Sequence, residues 1–291
     1  MTPFELAEPV TLKDAIGLLA TGDPDVRPIA GGTAVMLMMR TGLFRPAKLV
    51  SLRRIEAGHR AIEVAADGTI RIGAMATLSS LEHAPEIAQA APVISQTLRT
   101  LSNVRVRNVA TLGGHLAHAD PHMDLPPVLI TLAASLTIAG PSGMRRLDVA
   151  DLFGGYLETT LAPGELITEV TVPAQGARRA AYMKCTTRSA DDWPALGLAV
   201  SLQTEGDRIT SARIAIGAAT ETPRRLAAAE AALAGARADD AALRAAGDAA
   251  AAEAEIEADA QGSAAYKREL LRVYVGRTVR KALGRAPGPG G

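Results

Sequence analysis

The chain reads as an α+β protein in which mixed strands and helices come first and an all-antiparallel unit with helices comes last. Three observations carry this. Residues 27–40 run from a strand through Gly31-Gly32 into a helix-prone stretch, residues 62–72 alternate about an Asp67-Gly68 turn, and three strand-like runs after residue 179 precede an alanine-rich helical stretch. At 291 residues and 48% hydrophobic, the chain exceeds one small core and predicts two or three packed units.

In chain order, Thr11 is placed to cap a helix on which Ala15, Ile16 and Leu19 recur at helical spacing, with Asp14 at N3. Gly22-Asp23-Pro24 ends it. Residues 27–30 form a strand, Gly31-Gly32-Thr33 a turn, and 34–40 a helix closed by Gly42, which suits the left-handed C′ position. A short strand over 49–52 and a hairpin of 62–64 with 69–72 follow. Helices are predicted over 78–83 and 92–101, the second with Pro92 in its first turn. Residues 105–127, rich in Gly, His, Asp and Pro, read as a long functional loop around a short helix. A helix over 127–133, a strand over 136–139, a turn at 141–143 and a strand over 165–172 come next, and 173–179 is a linker. Beyond it, 180–187, 196–204 and 208–217 are strands. Three helical runs after Pro223 break near Gly235 and at 259–262, and their small side chains suit close helix packing. The Gly/Pro-rich end is predicted to be a disordered tail over 285–291.

Charge and composition exclude several functions. Lys+Arg 31 balances Asp+Glu 31, which argues against nucleic acid or an anionic membrane as the main partner. No run approaches the ~20 apolar residues of a membrane span, and no secretory leader opens the chain, so a cytoplasmic location is expected. The single cysteine, Cys185, excludes an internal disulfide, a Cys-rich zinc site and an iron–sulfur cluster made by this chain alone. Aromatics at 3% leave no stacking platform for an oligonucleotide. Redox chemistry would need an organic cofactor here or metals on a partner.

Two loops can carry chemistry. In Ala30-Gly31-Gly32-Thr33-Ala34, paired glycines before a helix expose backbone N–H groups to a pyrophosphate, or else form an ordinary strand-to-helix turn. Neither a dinucleotide G-x-G-x-x-G nor a P-loop lysine is present. Residues 111–124 hold a second pair, Gly113-Gly114, with His115, His118, Asp120, His122 and Asp124. Those side chains suit a metal-dependent hydrolase, or turn capping, or a second wall around one dinucleotide. The last reading explains both loops at once.

At these residues the sequence resembles the FAD-binding medium subunit of the molybdenum hydroxylases, of the xanthine dehydrogenase and aerobic carbon monoxide dehydrogenase type. The likeness lies in residues 27–33 and 106–114, in Ala117-His118-Ala119-Asp120-Pro121, Asp124-Leu125-Pro126-Pro127 and Pro163-Gly164-Glu165-Leu166-Ile167, in Lys184, Arg188, Asp191 and Asp192, and in 262–268. The resemblance implies a vanillyl-alcohol-oxidase-type FAD-binding domain over 1–176, with subdomains 1–56 and 57–176. A three-stranded antiparallel sheet with a three-helix bundle would follow over 177–284. It implies electron transfer from partner iron–sulfur clusters through FAD to an external acceptor, with no catalytic acid or base and no metal on this chain. Partners would be a large molybdenum-cofactor subunit and a small [2Fe-2S] subunit, assembled as a dimer of heterotrimers; a stand-alone flavin module is the alternative. Carried over, Ala30, Gly31, Gly32, Thr33 and Ala34 line the pyrophosphate and ribityl region, and Thr111, Gly113, Gly114 and His115 form the second wall. His118, Asp124, Ile167 and Lys184 join the FAD site, and Asp192 and Trp193 lie on the loop facing the flavin ring, unless Trp193 simply packs in the core. His115 departs from the family's usual Asn.

Overall fold

A computed structural model describes residues 3–285. Strands β1 (Glu5–Ala7), β2 (Val26–Ile29) and β3 (Lys48–Ser51) form a parallel sheet in the order β1-β3-β2, joined by α1 (Leu12–Leu19) and α2 (Thr33–Thr41). Thr11 caps α1, accepting from the Asp14 amide at 3.1 Å and donating its hydroxyl to the Asp14 carboxylate at 2.7 Å. Gly42 closes α2 with φ 75°. β1 escapes sequence reading because Glu5-Leu6-Ala7 is short and has no β-branched residue.

The central region begins with the hairpin β4 (Ile62–Val64) and β5 (Ile70–Gly73). Six helices follow: α3 (Leu78–His83), α4 (Pro85–Ala90), α5 (Pro92–Leu98), α6 (Val104–Arg107), α7 (Leu112–His118) and α8 (Leu125–Thr131). Strands β6 (Ser135–Gly140), β7 (Gly143–Asp148), the small pair β8 (Phe153–Gly155) and β9 (Glu158–Thr159), and β10 (Leu166–Val172) complete it. The main sheet runs β4-β5-β10-β6-β7, all antiparallel. On β10, alternate residues Leu166, Thr168, Val170 and Val172 are buried, the period of a pleated strand. The predicted loop over 105–127 is therefore largely helical. Asn103 and Thr111 cap α6 and α7, and Pro126 and Pro127 occupy the opening turn of α8, where a missing N–H costs no helical bond. Glycine and proline mark helix starts here, not a loop.

The last region is a four-stranded antiparallel sheet, β11 (Arg179–Cys185), β12 (Leu196–Glu205), β13 (Arg208–Gly217) and β14 (Arg224–Arg225), with α9 (Ala227–Leu233), α10 (Asp240–Glu253) and α11 (Ala264–Ala282). The two-residue β14 extends the predicted three strands to four. One sheet face packs on the helices through Leu198, Val200, Ile214, Ile216, Leu243, Ala246, Leu271 and Val275. α10 meets α11 at Gly247, where a methyl group would lie 2.2 Å from the Arg272 carbonyl oxygen. The other face, with Tyr182, Ala199 and Ala215, joins the core of the central region and receives α8. Of the predicted tail, Arg285 is held, its amide donating to Arg280 O at 2.9 Å and its guanidinium to Ala238 O at 2.8 Å; 286–291 lie outside the described residues. No helix among the described residues is long and apolar enough to cross a membrane.

Candidate functional site

The two glycine loops meet, but they use their backbones differently. β2 ends at Ile29, the chain bends at Ala30-Gly31, and Gly32 (φ 77°) precedes α2 with no side-chain cap. The first helical bond is Met36 N to Gly32 O at 2.9 Å; among the described residues no acceptor meets the N–H groups of Gly31, Gly32, Thr33, Ala34 or Val35. Five free amides at the positive end of a helix suit an anion. In the second loop the amides are already bonded. Leu112 N donates to Ala76 O (2.9 Å), Gly113 N to Ala74 O (2.8 Å), Gly114 N to Thr111 Oγ1 (3.2 Å) and His115 N to Thr111 O (2.8 Å). This loop is the first turn of α7 and contributes shape.

A methyl group on Gly31 would lie 2.0 Å from Val109 O, and one on Gly114 would lie 2.9 Å from Thr111 Oγ1 and 3.5 Å from the Ala30 methyl. The loops thus touch through their glycines. Beside them, His115 Nε2 is buried with no partner. Burial, reinforced by nearby His118, pushes the His115 pKa down to about 3, so its ring is neutral. Burial also lowers His118, at the last turn of α7, against the opposing pull of Asp120.

A second polar group lies where α8 begins. Asp124, 4% exposed, accepts from Tyr182 Oη at 2.5 Å and from Lys184 Nζ at 3.0 Å. Burial raises the Asp124 pKa, opposed by the Lys184 ammonium and the Tyr182 hydroxyl, while burial and the adjacent carboxylate push Tyr182 well above its usual value. Lys184 Nζ also donates to Thr100 O (2.8 Å) and Asp192 O (3.2 Å), so this buried pair holds the segment bearing Asp192 and Trp193. Trp193 is 57% exposed and stacks on His122, with ring centroids 5.1 Å apart and planes within 9°, so it does not pack in the core. His122 Nδ1 lies 2.9 Å from Asp120 Oδ1, and Nε2 lies 2.8 Å from Asp259 Oδ2. Ile167, at a register shift on β10, packs against the central apolar cluster.

The metal-dependent hydrolase reading is not supported by this geometry. Among the described residues no group of three or more His, Cys, Asp or Glu side chains could hold a metal ion. His122 faces two carboxylates, Asp124 faces a lysine and a tyrosine, and His115 is buried alone. Asp259, Tyr182 and Lys267 were not singled out as site residues, because only the tertiary fold brings them here, from the α10–α11 connection, β11 and α11 respectively. The free amides and a neutral buried imidazole do suit a pyrophosphate-bearing dinucleotide such as FAD.

Comparison with known proteins agrees. The family described as FAD binding domain in molybdopterin dehydrogenase matches residues 2–175, and the CO dehydrogenase flavoprotein C-terminal domain matches residues 180–282. The chain is 32% identical over 276 residues to the nicotine 6-hydroxylase medium subunit of Paenarthrobacter nicotinovorans, covering 95% of this chain and 96% of that one. It is 30% identical over 284 residues to the carbon monoxide dehydrogenase medium chain of Afipia carboxidovorans, covering 97% and 98%. The structure of carbon monoxide dehydrogenase from Hydrogenophaga pseudoflava lacking the Mo-pyranopterin moiety matches with TM-score 0.93 at 33% identity, over 98% of this chain and 100% of that one. These matches span the chain almost end to end, and the chain belongs to the FAD-binding family of the molybdopterin dehydrogenases and is an oxidoreductase subunit.

Proposed function

We propose that the chain is the electron-transfer stage of a heteromeric molybdenum hydroxylase. It receives electrons from iron–sulfur clusters on a small subunit and passes them to an external acceptor, while a large subunit carries the molybdenum cofactor and oxidises the substrate. The assembly is a dimer of heterotrimers. The observation that carries this reading is the run of five unbonded amides from Gly31 to Val35 beside the glycine wall of α7. Bound FAD supplies the reversible acceptance of electrons, and the chain supplies binding, orientation and access.

In this reading the amides of residues 31–35 hold the pyrophosphate, and Ala30, Thr33 and Ala34 line its approach. Gly113 and Gly114 let the start of α7 pack closely on Ala74 and beside Ala30, with Thr111 fixing the turn. Neutral His115 offers its unpartnered nitrogen without bringing a charge, and His118 and Ile167 complete the lining. Asp124 and Lys184 hold Asp192 by its carbonyl, so that Trp193 presents its open face to the flavin ring. The supporting architecture is a vanillyl-alcohol-oxidase-type unit over 1–176, divided at 56, followed by the sheet and helices of 177–284.

The test is to purify the chain and measure flavin absorbance and metals. One FAD per chain without iron or zinc is expected; a chain that neither retains nor takes up FAD sinks the proposal. Copurification with a cysteine-rich small chain and a molybdenum-bearing large chain is expected, whereas isolation alone as a stable flavoprotein favours the stand-alone module.

A further inference from the structure

We propose that His122 is a positioning residue for Trp193: its imidazole, gripped by Asp120 and Asp259, is the platform that fixes the indole and ties α11 to the flavin face. This rests on the reading that Trp193 faces the flavin. The stack itself is independent of it.

Trp193 sits in a segment without regular structure, between β11 and β12, and its outer face is open to solvent. Its inner face lies on His122 at 5.1 Å between centroids and 9° between planes, the offset parallel arrangement that aromatic rings favour. An exposed indole on a loop would otherwise move among rotamers, and a fixed flat neighbour restricts it.

His122 is itself held on both ring nitrogens. Its ring nitrogens face Asp120 Oδ1 at 2.9 Å and Asp259 Oδ2 at 2.8 Å, and its side chain is 12% exposed. A neutral imidazole donates only one N–H, so two carboxylates are both satisfied only by the cation. Each carboxylate is fixed in turn. Asp120 Oδ1 also accepts the His122 amide at 2.8 Å, and Asp259 accepts from Lys267 Nζ at 2.6 Å and from the Gln261 amide at 2.7 Å. Lys267, on α11 and 1% exposed, donates further to Ala218 O at 3.0 Å. The charged and titratable groups around His122 are therefore Asp120, Asp259 and Lys267, with His118 beyond Asp120. Burial lowers the His122 pKa, but the two carboxylates outweigh it and the net shift is upward. The result is a chain of contacts from α11 through Lys267, Asp259 and His122 to the indole, bridging 137 residues at the His122–Asp259 step.

The chain has one tryptophan, so its fluorescence reports Trp193 alone. A stacked imidazolium quenches excited indole by accepting an electron from it. In the cofactor-free full chain, emission is expected to rise as pH increases through a midpoint above 6.5, and to be flat in His122→Gln. Titrated with FAD, His122→Gln is expected to bind about tenfold more weakly than wild type, with less quenching of the indole by the flavin. Asp259→Asn keeps the imidazole and removes one carboxylate, so its emission midpoint is expected to fall; it serves as the readout if His122→Gln does not fold. Wild-type emission independent of pH overturns the inference, as does FAD affinity and quenching in His122→Gln equal to wild type. A wild-type chain that titrates as expected but binds no FAD overturns the flavin reading, and with it the purpose of the platform.

Discussion

At Gly31 there is no room for a methyl group, because its position is already within 2.0 Å of the Val109 carbonyl oxygen. Gly32 differs: its requirement is the backbone angle, φ 77°, and the nearest obstacle is the mobile end of Ile29 at 3.1 Å. Gly31→Ala is therefore expected to part the two loops, to cost about 3 kcal/mol and to abolish FAD retention. Gly32→Ala should cost only about 1 kcal/mol. Paired denaturant melts and flavin content check this, and equal effects would refute the difference. Two histidines seven positions apart respond to pH with opposite sign. His115 has its pKa lowered to about 3, so its contribution to stability is full above about 6.5 and is lost as pH falls towards 3. His122 has its pKa raised, so its contribution is full below 6.5 and is lost as pH rises through the higher folded value. Replacing His115 with Asn should flatten the acid side of a stability–pH curve, and replacing His122 with Gln should flatten the neutral-to-alkaline side. Urea midpoints across pH read both. The glycine pairs were legible in the sequence, but their different duties were not, since Val109 and Ala74 meet them only in the folded chain.

Among the elements, α7 shows how a helix start can pass for a loop. Thr111, 4% exposed, accepts the Gly114 amide, and the neighbouring amides bond to Ala74 and Ala76 in the connection between β5 and α3. Two glycines in the opening turn lower helix propensity, yet the cap and these tertiary bonds outweigh them. Thr111→Val is expected to cost 1–2 kcal/mol, as an order-of-magnitude figure, and to free the Gly114 amide, which hydrogen exchange at Gly114 measures; unchanged protection there would count against the cap. α1 and β10 were legible because their buried faces are written in their own spacing, and β12 and β13 because they are long apolar runs bounded by the turn at Glu205-Gly206-Asp207. The edge strands β1, β7 and β14 were not, because pairing with a neighbour holds them and their side chains say little.

For the whole molecule, the Asp124–Lys184 pair matters more than its single contact suggests, because it joins the start of α8 to β11 across a buried boundary. Asp124→Ala leaves the Lys184 ammonium buried and is expected to cost 3–5 kcal/mol, again an order of magnitude. The pair Asp124→Leu with Lys184→Met should recover much of that stability without restoring FAD binding, because Asp192 O loses its donor. Thermal melts with flavin titration separate the two effects. A fragment of residues 177–284 should lack a sharp melt, since the face of its sheet bearing Tyr182, Ala199 and Ala215 is covered by the central region. The bonded amides of α7 have one more consequence, for the timing of assembly. A wall that closes on its own hydrogen bonds needs no guest to take shape, so the polypeptide can mature empty. FAD added to chains purified without it is therefore expected to restore flavin absorbance without a refolding step.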